Sequence, residues 1–157
     1  EPLYKIPGGV LVLAGGKGWY YDSIFETVEK LQLKDDIIFT GYIPEEDVPL
    51  LMSGARAFVF PSLYEGFGMP PLEAMACGTP VIVSDTTSLP EVAGEYAVYV
   101  KPQSVDSIAE GMKRLLLDSQ LCTRLGKNGT EYAKQFDWKH SVYKLQESIS
   151  GMLDCVR

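Results

Sequence analysis

Residues Pro61 to Pro80 read PSLYEGFGMPPLEAMACGTP, and this run decides the fold because it carries a strand end, a loop and a helix start in succession. Phe58, Val59 and Phe60 predict the end of a buried strand, Pro61 to Gly68 a loop, and Pro70 to Cys77 a helix with proline in its first turn. Glu65 then lies on the loop and Glu73 near the helix start, with a Gly-Phe-Gly turn between them. Gly66 and Gly68 admit positive φ and let a ligand approach the backbone, and a helix N-terminus offers unpaired N–H groups to a polyhydroxyl or phosphate ligand. A carboxylate accepts hydrogen bonds and donates none. Two of them beside such a turn suit a ligand rich in hydroxyl donors, such as a sugar or a ribose diol.

Working outward, Val10 to Ala14 is an apolar run closed by Gly15 and Gly16, and Ile37 to Thr40 is another closed by Gly41. Ile24, Val28 and Leu31 recur between them at helical spacing. Ala57 to Phe60, Val81 to Ser84 and Ala97 to Val100 predict three more strands, separated by helices near 46–54, 71–77 and 89–93. Near-continuous apolar strands alternating with amphipathic helices predict a Rossmann-like parallel sheet covered by helices on both faces, an α/β fold. Ligands of such sheets bind beyond the strand C-termini, where Gly15, Gly41 and Glu65 fall. After Pro102 the chain turns helical. Ser104 reads as the N-cap of a helix whose face is Val105, Ile108, Met112, Leu115 and Leu116, Leu121 to Phe136 as a second helix, and Asp137 as the N-cap of a last one. Along that last helix Trp138, Val142, Leu145, Ile149 and Met152 form an apolar stripe.

A chain of 157 residues, 46% hydrophobic and 22% charged, fits a single domain over 1–157 with a sizeable core. A net charge of −7 without any Lys/Arg cluster argues against nucleic acid, whose phosphates demand a basic face. No basic amphipathic segment suggests a membrane surface, the apolar runs are strand-sized, and no signal peptide is visible, so the expected location is cytoplasmic. Cys77, Cys122 and Cys155 lack metal-ligand spacing and read as reduced thiols. His140 has no acidic or thiol partner at ligand spacing, so no metal is expected. The chain begins Glu1-Pro2, which suggests a processed or truncated product.

Glu65-Gly-Phe-Gly68, seven residues between Glu65 and Glu73, and then Glu73-Ala-Met-Ala-Cys-Gly-Thr-Pro-Val-Ile resemble the signature of the retaining, nucleotide-sugar-dependent glycosyltransferases with the two-domain GT-B fold, the glycosyl transferases group 1. The resemblance extends to LVLAGG at 11–16, IIFTGYIP at 37–44, SLPEVAG at 88–94 and FDW at 136–138, and is to the donor-binding, C-terminal half alone. It implies that Glu73 accepts the two ribose hydroxyls of the nucleotide. It implies that Glu65 is the catalytic carboxylate, bonding a hydroxyl of the transferred sugar and holding positive character near the anomeric carbon. The N–H groups around Gly66, Phe67, Gly68 and Met69 would bind further sugar hydroxyls, the backbone at Ile43 would pair with the base edge, Tyr42 would line that pocket, and Gly15 and Gly16 would edge the cleft. No cofactor or metal is implied. The donor would be a nucleotide-diphosphate sugar, with the Gly-Gly-Lys-Gly-Trp stretch at 15–19 and Ile24-Phe25 resembling bacterial mannosyltransferases and so suggesting GDP-mannose over a UDP- or ADP-sugar.

A complete donor half would have a first strand followed by an Arg and a Lys that grip the diphosphate, and nothing before Leu11 supplies it; Lys5 and Lys17 stand in other contexts. The expectation is therefore a chain that binds nucleotide weakly and transfers nothing unless joined to the missing acceptor domain, through which any membrane association would also come. In the resembled family the last helix crosses back toward that domain, so its apolar stripe should be exposed.

Plainer readings stand beside these. Glu73 could serve a helix dipole in a first turn, and Glu65 could be a solvated loop acid. Gly15-Gly16-Lys17-Gly18 matches no phosphate-loop pattern and reads as a tight turn. Thr86, Thr87 and Ser88 read as caps for the 89–93 helix, with Glu91 completing a capping box from Ser88. Among rival functions, a glycosidase would need its two carboxylates facing one another about 5 to 5.5 Å apart. A sugar-nucleotide epimerase of the same two-domain architecture is a closer rival, and a catalytically inactive nucleotide-sugar binding module is the non-enzymatic one.

Overall fold

A computed structural model describes residues 9–16, 18 and 21–154 of the chain. Lys5, Lys17, Trp19 and Cys155 lie outside the described residues. The element order is β1 (Leu11–Ala14), α1 (Asp22–Lys30), β2 (Ile37–Gly41), α2 (Val48–Gly54), β3 (Phe58–Phe60), α3 (Met69–Ala76), β4 (Val81–Ser84), α4 (Leu89–Ala93), β5 (Ala97–Val100), α5 (Val105–Leu117), α6 (Ser119–Ala133) and α7 (Trp138–Asp154). Strand and helix alternate through β5 and helices follow, as the apolar periodicity requires. The chain divides into two compact units, Glu1–Gly54 and Ala55–Arg157.

In the first unit β1 and β2 pair in parallel, Leu11 opposite Ile37 and Leu13 opposite Phe39, with an irregularity that brings Ala14 opposite Gly41. The crossover helix α1 buries Val28, and the Phe25 ring stacks on Phe39 with centroids 4.5 Å apart. Ile24 and Leu31, which share the helical spacing of Val28, remain exposed.

In the second unit β3, β4 and β5 form a parallel sheet with β4 in the middle. Every side chain of β4 is buried, so the strand is covered on both faces, as its unbroken apolar sequence predicts. One face carries Ile82, Val98 and Val100, packed with Leu115 of α5 and with Leu121, Cys122 and Leu125 of α6. Close approach of α5 depends on Gly111, where an added Cβ would lie 2.6 Å from Val100 Cγ1. The α6 helix comes equally close to the turn after α3, a Cβ at Gly126 falling 2.5 Å from the Gly78 carbonyl oxygen. Cys122 is buried in this layer; its thiol donates to the Leu115 carbonyl at 2.8 Å, and burial pushes its pKa up.

The caps follow the sequence in part. The Ser107 N–H donates to Ser104 Oγ at 3.2 Å and the Lys139 N–H to Asp137 Oδ1 at 3.1 Å, fixing the starts of α5 and α7 as expected. The α6 helix begins at Ser119, earlier than its apolar pattern suggests, because Asp118 caps it by accepting from the Leu121 N–H at 2.8 Å. Val105 does not join the α5 core face: it is 82% exposed at the helix start, before the buried stripe begins. Along α7 the stripe of Trp138, Val142, Leu145, Ile149 and Met152 is exposed throughout. Among the described residues no helix is long and apolar enough to cross a membrane.

Candidate functional site

The loop at residues 61–68 follows the C-terminal end of β3 and leads into α3. It is held by the last residue of β4 and the segment that follows it. Ser84 Oγ donates to the Ser62 carbonyl at 2.6 Å, Thr87 Oγ1 accepts the Glu65 N–H at 3.3 Å, and Ser88 Oγ lies 2.9 Å from both the Glu65 and Phe67 carbonyl oxygens. One hydroxyl proton thus clamps two carbonyls on either side of Gly66. Thr87 adopts φ 56°, a left-handed conformation disfavoured for a β-branched residue, in the segment that makes these bonds.

These contacts correct the capping-box reading. Ser88 is the N-cap residue of α4, but its side chain caps nothing there. Its hydroxyl holds the Glu65–Phe67 turn instead, and its backbone, at φ −79° and ψ −15°, is helical rather than in the extended conformation of a capping side chain. The signal was present in sequence only as three hydroxyl residues after a strand.

Gly68 precedes α3 at φ 106° and is buried, and a Cβ there would fall 2.6 Å from Leu89 Cδ2. Only glycine meets both conditions. Gly66 differs: its φ is not positive and open space surrounds the place of a Cβ, so its value is room rather than conformation. Proline at 70 and 71 removes two of the early N–H groups of α3. The N–H groups of Phe67, Gly68 and Met69 at this helix start have no protein acceptor among the described residues.

Glu65 is half-buried on the loop. Glu73 is exposed on α3, whose neighbouring Leu72, Ala74 and Met75 are buried and fix the helix beneath it. It is the fifth residue of Met69–Ala76 and lies beyond the first turn, which contains no acid, so the dipole explanation for it loses its ground. Neither carboxylate pairs with a cation among the described residues; the ion pairs there are Lys34–Glu29 and Lys134–Glu131. Two unneutralised carboxylates beside free backbone donors can accept from, and donate to, the hydroxyls of a polyol.

The remaining predicted residues belong to the first unit. Gly15 (φ 137°) and Gly41 (φ 68°) close β1 and β2, and the Gly15 N–H donates to the Gly41 carbonyl at 3.0 Å. Gly16 follows Gly15, and Tyr42 and Ile43 follow Gly41, so all five leave the C-terminal ends of paired strands. Tyr42 is 78% exposed and Ile43 half-buried. The Phe67 ring packs edge-on against Phe136, a partner distant in the chain that no local pattern in the sequence announces, with centroids 6.0 Å apart. Among the described residues no group of three or more His, Cys, Asp or Glu side chains is placed to share a metal ion.

The family model for glycosyl transferases group 1 matches residues 3–132, a span that contains the clamped loop and both glutamates. O-antigen chain mannosyltransferase B of Escherichia coli is 43% identical over 141 residues, 86% of this chain and 37% of that protein. Sucrose-phosphate synthase from Thermosynechococcus elongatus superposes with a TM-score of 0.84 at 32% identity, over 98% of this chain and 41% of its own. The Anabaena protein Alr3699/HepE, solved in complex with UDP, shares the fold with a TM-score of 0.86 at 22% identity, over 95% of this chain and 43% of its own. The chain thus spans about two fifths of the length of these proteins.

Proposed function

This chain belongs to the family of glycosyl transferases group 1, and we propose that it is the donor-binding half of a GT-B enzyme that moves a sugar from a nucleotide diphosphate to an acceptor hydroxyl with retention at the anomeric carbon. The observation that carries the reading is the pair Glu65 and Glu73, both without protein cations among the described residues, on either side of a clamped turn whose N–H groups are free.

In this mechanism Glu73, carried on the buried helix α3, accepts both hydroxyls of the ribose. Glu65 and the N–H groups of Phe67, Gly68 and Met69 hold the transferred sugar. As the bond to the leaving diphosphate stretches, positive charge grows at the anomeric carbon and the Glu65 carboxylate stabilises it. The loop is already fixed by Ser84, Thr87 and Ser88, so little reorganisation accompanies this step. Within the first unit, Ile43 and Tyr42 select the base, with Gly15 and Gly16 at the neighbouring strand end. Likeness to O-antigen chain mannosyltransferase B supports GDP-mannose as donor. The diphosphate charge is met by Arg and Lys side chains of the intact enzyme rather than by a metal, so transfer should persist in a chelator. The stripe on α7 seats the acceptor half, and without that half the chain transfers nothing. The enzyme works in the cytoplasm.

The test is calorimetric titration of the chain with GDP, UDP and ADP and their sugar conjugates. Glu73→Ala should weaken bare-nucleotide binding by about tenfold or more, the scale of a lost hydrogen-bonded charge, while Glu65→Ala leaves it nearly unchanged and abolishes transfer in the intact enzyme. Equal loss of bare-nucleotide affinity in both variants would refute the division of roles. Epimerised donor in place of a glycosylated acceptor would favour the epimerase.

A further inference from the structure

A row of rings crosses the second unit from the candidate sugar-facing turn to α4. Phe67 meets Phe136 edge-on at 6.0 Å and 75°. Phe136 meets Tyr132 at 5.4 Å and 69°, and Tyr132 lies 4.7 Å from Tyr96. The far end is anchored: the Tyr132 hydroxyl donates to the Glu91 carbonyl of α4 at 3.3 Å, and its ring lies against Gly94, where a Cβ would be 3.2 Å from Cζ. Phe136 is itself fixed by a tight turn after α6, its N–H donating to the Ala133 carbonyl at 3.1 Å. The same α4 whose Glu91 receives Tyr132 is preceded by Ser88, the residue that clamps the Glu65 and Phe67 carbonyls.

The turn is therefore gripped at its carbonyls by Ser88, at the Glu65 N–H by Thr87 and at its one ring by Phe136. The helix that carries Glu73 is fixed by its own buried Leu72, Ala74 and Met75. Phe67 is 43% exposed, and among the described residues its ring meets no aromatic neighbour besides Phe136. A ring held against Phe136 restricts the backbone torsions open to Phe67, and a donor that must be re-aimed contributes less to binding than one already aimed.

We infer that Phe136 is a positioning residue for the sugar end of the donor site: through Phe67 it aims the N–H groups of Phe67, Gly68 and Met69, and it contributes to holding the sugar but not the nucleotide. The inference rests on the proposed donor-binding function. Edge-to-face pairs contribute enough to change an equilibrium by about two- to tenfold, which sets the size of the expected effect.

The experiment uses this chain in two measurements. Hydrogen exchange of the Glu65 amide, which Thr87 Oγ1 holds in this turn, should quicken by about two- to tenfold in Phe136→Leu, while that of β4 stays unchanged, and Phe136→Tyr, which keeps the ring, should restore the native rate. Titration with GDP and GDP-mannose should show the extra affinity contributed by mannose falling in Phe136→Leu, with GDP affinity unmoved, and returning in Phe136→Tyr. Unchanged exchange in the turn overturns the inference, as does an equal loss of GDP and GDP-mannose affinity, which marks a general loss of structure. If the unmodified chain binds GDP-mannose no more tightly than GDP, the donor-binding function fails instead, and the exchange result alone decides whether Phe136 braces the turn.

Discussion

β1 and β4 are both four-residue apolar strands, LVLA and VIVS, yet all four side chains of β4 are buried while Leu11 and Val12 of β1 are each 37% exposed. The difference lies in what surrounds them. β4 is central in a three-stranded sheet packed with α3, α4 and α5, whereas among the described residues β1 pairs with β2 alone, in a unit whose buried apolar side chains there are Val28, Leu33 and Met52. Apolar composition states that a strand must be covered; its rank in the sheet and the helices on its faces determine how fully it is. The second unit therefore holds the stable frame, and the carboxylates at 65 and 73 stand on it.

The comparison breaks most visibly in stability. Ile82→Ala removes methyl groups from a site with 0% exposure and should cost about 2–5 kcal/mol in urea unfolding, whereas Ile38→Ala in β2, at 51% exposure, should cost about 1 kcal/mol or less. Similar costs would mean that the first unit is as well packed as the second. A smaller effect sharpens the same point. Amides of β4 should exchange with solvent at least about tenfold more slowly than those of β1, because they open only when the central sheet does. Equal rates would show a single cooperative unit.

Much of this frame was legible from residues alone. Val81–Ser84 and Ala97–Val100 match their apolar runs residue for residue, and Ser104 and Asp137 cap the helices they precede. Local chemistry sufficed there, since a cap or an apolar run acts within a few residues. What escaped depends on residues distant in the chain. Ser88 has the sequence context of a cap, but its hydroxyl is drawn to the Glu65 and Phe67 carbonyls that folding brings beside it. The pairing of Phe67 with Phe136 likewise exists only once α6 has packed, and no periodicity encodes it. In the candidate site the sequence supplied the two glutamates and the glycines between them. The structure added that Glu73 lies past the first turn and that the N–H groups of Phe67, Gly68 and Met69 have no protein acceptor among the described residues.

The most direct measurement is amide chemical-shift mapping of the isotopically labelled chain with GDP and then with GDP-mannose. The account predicts that GDP perturbs α3 around Glu73 and the strand ends at Gly15 and Ile43, and that mannose adds shifts at Phe67, Gly68 and Met69. Shifts from the mannose moiety that bypass this turn and gather elsewhere on the chain would contradict it.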